Sequence, residues 1–186
     1  MTLRSLNRMS LLAIQSAVVA YACAIPSPAA ADGPPSLPRV RDNGDLSIAA
    51  LIREGTERSA TFRRLVETID ATDGIVYVEQ GKGRNGVRAY LALTVTVAGP
   101  HRILRIIVDT RTEHAALLAA IGHELRHAVE VLSDPAVTDN SAIYHFFERE
   151  GPTGSERFET GEAVRAGLEV FAEVRDRKST RLNSSH

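Results

Sequence analysis

The sequence predicts an α+β fold: a three-stranded antiparallel sheet packed on one long helix, with further helices after it. Three observations predict it. Apolar residues recur at helical spacing between Leu46 and Ile69. They give way to runs rich in β-branched and aromatic residues between Ile75 and Asp109. Helical spacing then returns and persists to Arg175.

Each element has a local reason. LSIAALIREG, from Leu46, predicts a short helix closed by Gly55. SATFRRLVETIDATDG predicts a second, capped by Ser59 or Thr61, with Phe62, Leu65, Val66 and Ile69 as its apolar stripe and Gly74 as its stop. IVYVEQ, VRAYLALTVTV and RILRIIVD read as strands. GKGRNG joins the first two, with Asn85-Gly86 as a hairpin turn, and Gly99-Pro100 separates the second from the third. That glycine-rich loop lies between strands and lacks the Gly-Lys-Ser/Thr ending, so it does not read as a phosphate cradle. TEHAALLAAIGHELRHAVEVL is a long helix with Thr112 as its cap. DNSAIYHFFERE is a short one capped by Asp139 or Ser141. GSERFETGEAVRAGLEVFAEVR is the last.

The two ends read differently from the middle. Residues 1–31 have the form of a secretory signal: Arg4 and Arg8, an apolar run too short for a membrane span, then Ala29-Ala30-Ala31. The expected location is therefore periplasmic or secreted. Cys23 leaves a lipoprotein form open, and an uncleaved leader a signal-anchored one. Residues 32–43 are a proline-rich linker and residues 44–175 the domain. DRKSTRLNSSH, residues 176–186, resembles a translated sequencing adapter. It is read as a non-native tail that cuts short the natural C-terminus.

The 186-residue chain has a formal net charge of −1. Without the arginines of the leader and the basic tail, the domain is mildly acidic and has no Lys/Arg cluster. This argues against nucleic acid as a partner. The single cysteine lies in the leader, so the domain must be held by its core or by a metal rather than by disulfides.

The long helix carries the chemistry. At about 100° per residue, Leu117, Leu118, Ile121, Leu125, Ala128, Val129 and Leu132 form one stripe that should pack on the sheet. His123 and His127 share another face, with Ala116, Ala119 and Ala120 leaving room beside them, and Glu124 at the border. Two imidazoles four residues apart on a helix can converge on one zinc ion, at about 2.0–2.1 Å each. A glutamate after the first can take the proton of a bound water and deliver it to a leaving amine. A metzincin would need a glycine at position 130 and a histidine at position 133; the chain has Glu130 and Ser133, which excludes that class.

A third ligand must come from elsewhere. Ala163, Gly167, Val170 and Val174 share the inner face of the last helix, and one turn earlier on that face stands Glu159. A carboxylate heading an apolar stripe is costly unless paired or metal-bound, so Glu159 is the first choice. Glu162 is in reserve, because it aligns with Ala166, Glu169 and Glu173 on a face that looks solvated. Tyr144 is a candidate oxyanion stabiliser and His145 a rival ligand. His101 and His114 are expected to face solvent.

His123-Glu124-Leu125-Arg126-His127, with FETGEA on a later helix, resembles the gluzincins, the thermolysin-like zinc peptidases. The resemblance implies a small zincin-like domain, with Zn2+ held by His123, His127 and a helical Glu159. Glu124 would be general base and acid, and peptides or proteins the substrates. Two departures are visible: Arg126 stands where an uncharged residue is usual, and Ala163 where the group often has an aspartate that orients the first histidine. A second reading is a non-catalytic module that binds zinc or a partner through the same cleft.

Overall fold

The computed structural model describes residues 37–83, 87–111, 113–150 and 159–183. The leader, the first part of the linker, the Asn85-Gly86 turn, the Thr112 cap, Phe158 and the last tail residues lie outside them. Among the described residues there are five helices and a mixed sheet of five strands, so the class is α+β. No described helix is long and apolar enough to cross a membrane.

A two-residue strand, β1 (Val40–Arg41), comes first, followed by α1 (Leu46–Arg58) and α2 (Ala60–Asp70). Val40 is buried and pairs with Val76, so ordered structure begins inside the stretch read as linker. Gly55 does not close α1. The helix continues to Arg58, and Gly55 serves instead as a contact point, because a Cβ there would meet the ring of Phe62 at 2.8 Å. Ser59 ends α1 and caps α2, accepting the Phe62 N–H at 2.9 Å. Gly74 likewise opens a strand rather than stopping a helix; its bare Cα lies against Leu132.

The strands are β2 (Gly74–Gln80), β3 (Ala89–Leu91), β4 (Thr96–Ala98) and β5 (His101–Val108). The expected three-stranded antiparallel meander is not formed. The order is β1-β2-β5-β3, with β1 and β2 parallel, and β2 and β5 parallel. β3 and β4 run antiparallel to β5 along its other edge. The third sequence run has thus inserted between the first two. Burial explains this. Leu104, Ile106 and Val108 on β5 and Val76 and Val78 on β2 are all fully buried, and pairing these two strands puts both in the middle of the sheet. Passing over one strand takes only about 10 Å. The described ends of segment 81–88 are pinned to the C-terminal end of β5: Gly81 N–H donates to Val108 O, and Asp109 N–H to Arg88 O. The expected pairing across Gly99-Pro100 does form, with Gly99 at φ 58°.

Three helices follow: α3 (His114–Ser133), α4 (Asn140–Glu150) and α5 (Gly161–Asn183). Glu113 caps α3, accepting from the N–H groups of Ala115 and Ala116, and Asp139 caps α4 through the Ala142 N–H. α5 continues as helix into the stretch read as a tail. The whole α3 stripe from Leu117 to Leu132 is buried, against β3, β5, α2 and α5. The face of α5 expected to be solvated is partly an interface. Glu173 accepts from Ser59 Oγ, Thr61 N–H and Thr61 Oγ1, and so holds α5 to the start of α2.

A buried arginine paired with a partly exposed aspartate fixes the far end of α3. Arg102 on β5 is 4% exposed. It grips Asp73 through two parallel hydrogen bonds of 2.8 and 2.7 Å. The same guanidinium donates to the carbonyl of Leu132, which the end of the helix leaves unpaired, and to those of Asp134 and Val137 in the turn that follows. Removing Arg102 takes the buried donor from those carbonyls, while the Asp73 carboxylate, 43% exposed, keeps water. Arg102→Ala should lower unfolding stability by about 2 kcal/mol, read from urea titration. Arg102→Lys should not restore it, because an ammonium lacks the planar fork. The hydrogen bonds from Arg102 hold the Asp73 carboxyl below the usual aspartate range. A depressed folded-state pKa contributes stability above the unfolded value that is lost as pH falls. Wild type should therefore weaken below about pH 4 more steeply than Asp73→Asn.

Candidate metal centre

The centre is built where α3 and α5 come closest. Gly122 admits Val170; a Cβ on Gly122 would stand 2.7 Å from it. Gly167 lies against the Ala119 carbonyl and the Cβ of His123, each 3.3 Å from where its own Cβ would be. Ala163, Val170 and Val174 are buried along this seam, as the stripe on α5 predicts. The room left by the alanines beside the histidines is thus occupied by α5, which carries Glu159 up to them.

His123, His127 and Glu159 each offer one donor atom, and the three lie within 4.8 Å of one another. His123 Nε2 is 3.3 Å from Glu159 Oε2. Donors in a tetrahedral zinc shell stand about 3.3 Å apart, so this pair is at the spacing a shared ion needs, and the wider pairs, up to 4.8 Å, would draw in around it. The two rings meet edge to face, with centroids 4.8 Å apart. His127 is 5% exposed and packs edge-on against Phe147 of α4. Burial, and then the charge of the neighbouring His127, hold His123 below the usual histidine range. The neutral imidazole is the form that ligates. Two imidazoles and one carboxylate are the donor set of a catalytic zinc site, and the residues present fit that ion. Glu159 departs from expectation in two ways: it precedes α5 rather than sitting in it, and its side chain is 40% exposed. Thr160 is the cap of α5, accepting from Ala163 N–H at 3.1 Å, and a cap lies outside the helical turn.

Glu124, at the border between the sheet-facing stripe and the histidine face, is buried at 6% exposure. Its Oε2 accepts the Leu91 N–H of β3 at 2.7 Å, while Oε1 stands 4.0 Å from His123 Nε2. One oxygen is anchored to the edge strand and the other faces the cluster.

The sequence did not single out the groups that hold the histidines. Nδ1 of His127 meets Glu130 Oε2 at 3.0 Å, which leaves Nε2 for the cluster. Glu130 also receives Thr160 Oγ1 at 2.8 Å and Arg126 Nε at 3.3 Å. Burial raises the Glu130 carboxyl, but the hydrogen bonds from His127 and Thr160 outweigh it and leave the pKa lowered. The visible signal was the i, i+3 spacing from His127 to Glu130. Arg126, a departure from the gluzincin pattern, here braces Glu130 and pairs with Glu162. At His123, where the group's aspartate is missing, a hydrogen bond with the Ala163 backbone favours the charged ring.

The other candidates stand apart from this arrangement. Glu162 is exposed and pairs with Arg165 at 2.9 Å. Tyr144 lies on the exposed side of α4 with its hydroxyl engaged by Glu148. His145 also binds Glu148, at 2.9 Å. His114 reaches Glu54 and is half exposed. His101 is partly covered, hydrogen-bonded to Arg39 and to the Asp73 carbonyl.

Comparison with protein-family models, with curated proteins and with solved structures finds no match to this chain. What the centre does must follow from its own geometry.

Burial pushes the Glu124 carboxyl up to about 7, although the charge of His127 and the Leu91 N–H pull it down. A folded-state pKa above the ordinary 4.5 means that the metal-free fold loses stability as pH rises from 4.5 to about 7. Glu124→Gln removes that loss and keeps an acceptor for Leu91. Without metal, its thermal midpoint should exceed wild type near pH 8 and match it near pH 4. Scanning calorimetry at both pH values checks this, and a variant less stable near pH 8 would contradict it.

Proposed function

We propose that this chain is an exported zinc-dependent peptidase that hydrolyses peptide bonds, of the gluzincin kind that the His123–His127 motif resembles. The observation that carries the reading is the convergence of two imidazoles and one carboxylate beside a buried fourth group, Glu124, which is not one of the three. Export is inferred from the leader-like residues 1–31.

Zinc, when bound, lowers the pKa of a water molecule and polarises a carbonyl. The chain's own residues supply the rest. His123, His127 and Glu159 would hold the ion. Glu124 takes a proton from the attacking water at Oε1, the oxygen left free while Oε2 is held by Leu91. That proton is then delivered to the departing amine nitrogen. The water oxygen ends on the acyl carbon, the C–N bond breaks, and Glu124 returns to its starting charge. Burial favours this base, because a carboxylate stripped of water binds a proton more readily.

The substrate path follows from the sheet. Among the described residues, β3 pairs with β5 on one side only. Its outer side meets Glu124 through the Leu91 N–H, so an extended peptide added along β3 would run past the base. Tyr144 has no step in this scheme. The non-catalytic module fits less well: structural zinc sites are closed by four protein ligands, and the one cluster among the described residues has three.

Metal analysis of the zinc-saturated chain should give one ion per chain. A mixed peptide library, read by mass spectrometry, should show cleavage. Glu124→Gln should keep the zinc and slow cleavage by about 10²-fold or more. A zinc-loaded Glu124→Gln variant as active as wild type would overturn the mechanism, and a chain that takes up no zinc would overturn the centre.

A further inference from the structure

We propose that Glu130 is a positioning residue that ties the second histidine and the carboxylate of the centre, its third donor, into one geometry. The inference rests on the metal-centre reading above and assigns a role to a group that the hydrolytic scheme leaves unused.

Glu130 has a side chain only 13% exposed, and both its oxygens are engaged. Oε2 takes Nδ1 of His127 at 3.0 Å. Oε1 takes the Thr160 hydroxyl at 2.8 Å and Arg126 Nε at 3.3 Å. Thr160 is the residue next to Glu159, and its oxygen also accepts the Ala163 N–H at 3.1 Å. One carboxylate on α3 therefore reaches the ring of one donor residue and the backbone that carries another. A carboxylate at Nδ1 also selects the tautomer with Nδ1 protonated and Nε2 bare, the nitrogen left for a metal.

Chemistry makes Glu130 hard to replace. A carboxylate accepts at both oxygens, whereas an amide accepts at one and donates at the other. The Thr160 hydroxyl also lies 3.1 Å from Oε2, so Glu130→Gln, at nearly unchanged volume, sets an amide donor either against His127 Nδ1, which selects the opposite tautomer, or against Arg126 Nε, which loses that brace and the shorter Thr160 bond. Thr160→Val cuts the same link from the other side and also removes the cap of α5. Thr160→Ser keeps both bonds.

The test is zinc affinity of the full chain, measured by competition with a chromophoric chelator. Glu130→Gln should bind zinc about 10- to 100-fold more weakly than wild type, Thr160→Val should weaken in the same direction, and Thr160→Ser should stay close to wild type. A second readout separates positioning from general damage. Long-range proton–nitrogen NMR of the metal-free chain should show His127 as the Nδ1–H tautomer in wild type and a mixture in Glu130→Gln. Far-UV circular dichroism checks folding, and if Glu130→Gln does not fold, Thr160→Val decides. Wild-type affinity and an unchanged tautomer in Glu130→Gln would overturn the role of Glu130 while leaving the centre intact. A wild-type chain that binds no zinc would overturn the centre itself.

Discussion

Everything at the centre depends on how closely α3 and α5 can approach. Glu159 reaches His123 only because Gly167 lies on the Ala119 carbonyl and Gly122 takes in Val170. A Cβ on Gly122 would force Val170 aside and one on Gly167 would press on the Ala119 carbonyl, and interiors packed like organic crystals absorb such changes poorly. Helix propensity alone would favour alanine at both positions by about 1 kcal/mol, so close packing is the physical reason for glycine there.

The helices that make this seam are held away from it as well. Arg102 fastens the C-terminal end of α3 to Asp73 and β5, and Glu173 fastens α5 to the start of α2. Between these anchors the fold tolerates arrangements that work against its stability. Glu124 and His127 are buried, Glu130 nearly so, and buried ionisable groups are costly unless hydrogen-bonded or paired. Here each has a partner: Leu91 for Glu124, and Glu130 and His127 for each other. A preorganised site on rigid helices can hold such groups where a loop could not.

Local patterns were legible in the sequence; long-range pairing was not. The apolar period of α3 correctly set its buried stripe, and the period of α5 put Ala163, Val170 and Val174 on its buried face; Glu159, reached by extending that period, stands beside His123 but before the helix begins. Caps at Ser59 and Asp139 were readable because a capping side chain bonds within three residues of itself. Strand order was not readable, since three runs of similar composition are compatible with several pairings, and burial of β5 beside β2 decided among them. Gly55 and Gly74 looked like helix stops, but their neighbours Phe62 and Leu132 give them a packing role visible only in three dimensions. Nothing local marked Arg102 as an anchor, because its acceptors come together from Asp73 and from the segment around the end of α3. Glu130 was visible at i, i+3 from His127, but nothing local showed that Thr160 would meet it.

The central claim is that His123, His127 and Glu159 share one ion and leave a position open on it. Anomalous diffraction at the zinc edge from a zinc-soaked crystal addresses it most directly. The account predicts a single strong peak bounded by the two imidazoles at about 2.0–2.1 Å and the Glu159 carboxylate at a similar distance, with Glu124 outside bonding range. No peak there, or a peak closed by a fourth protein side chain, would contradict it.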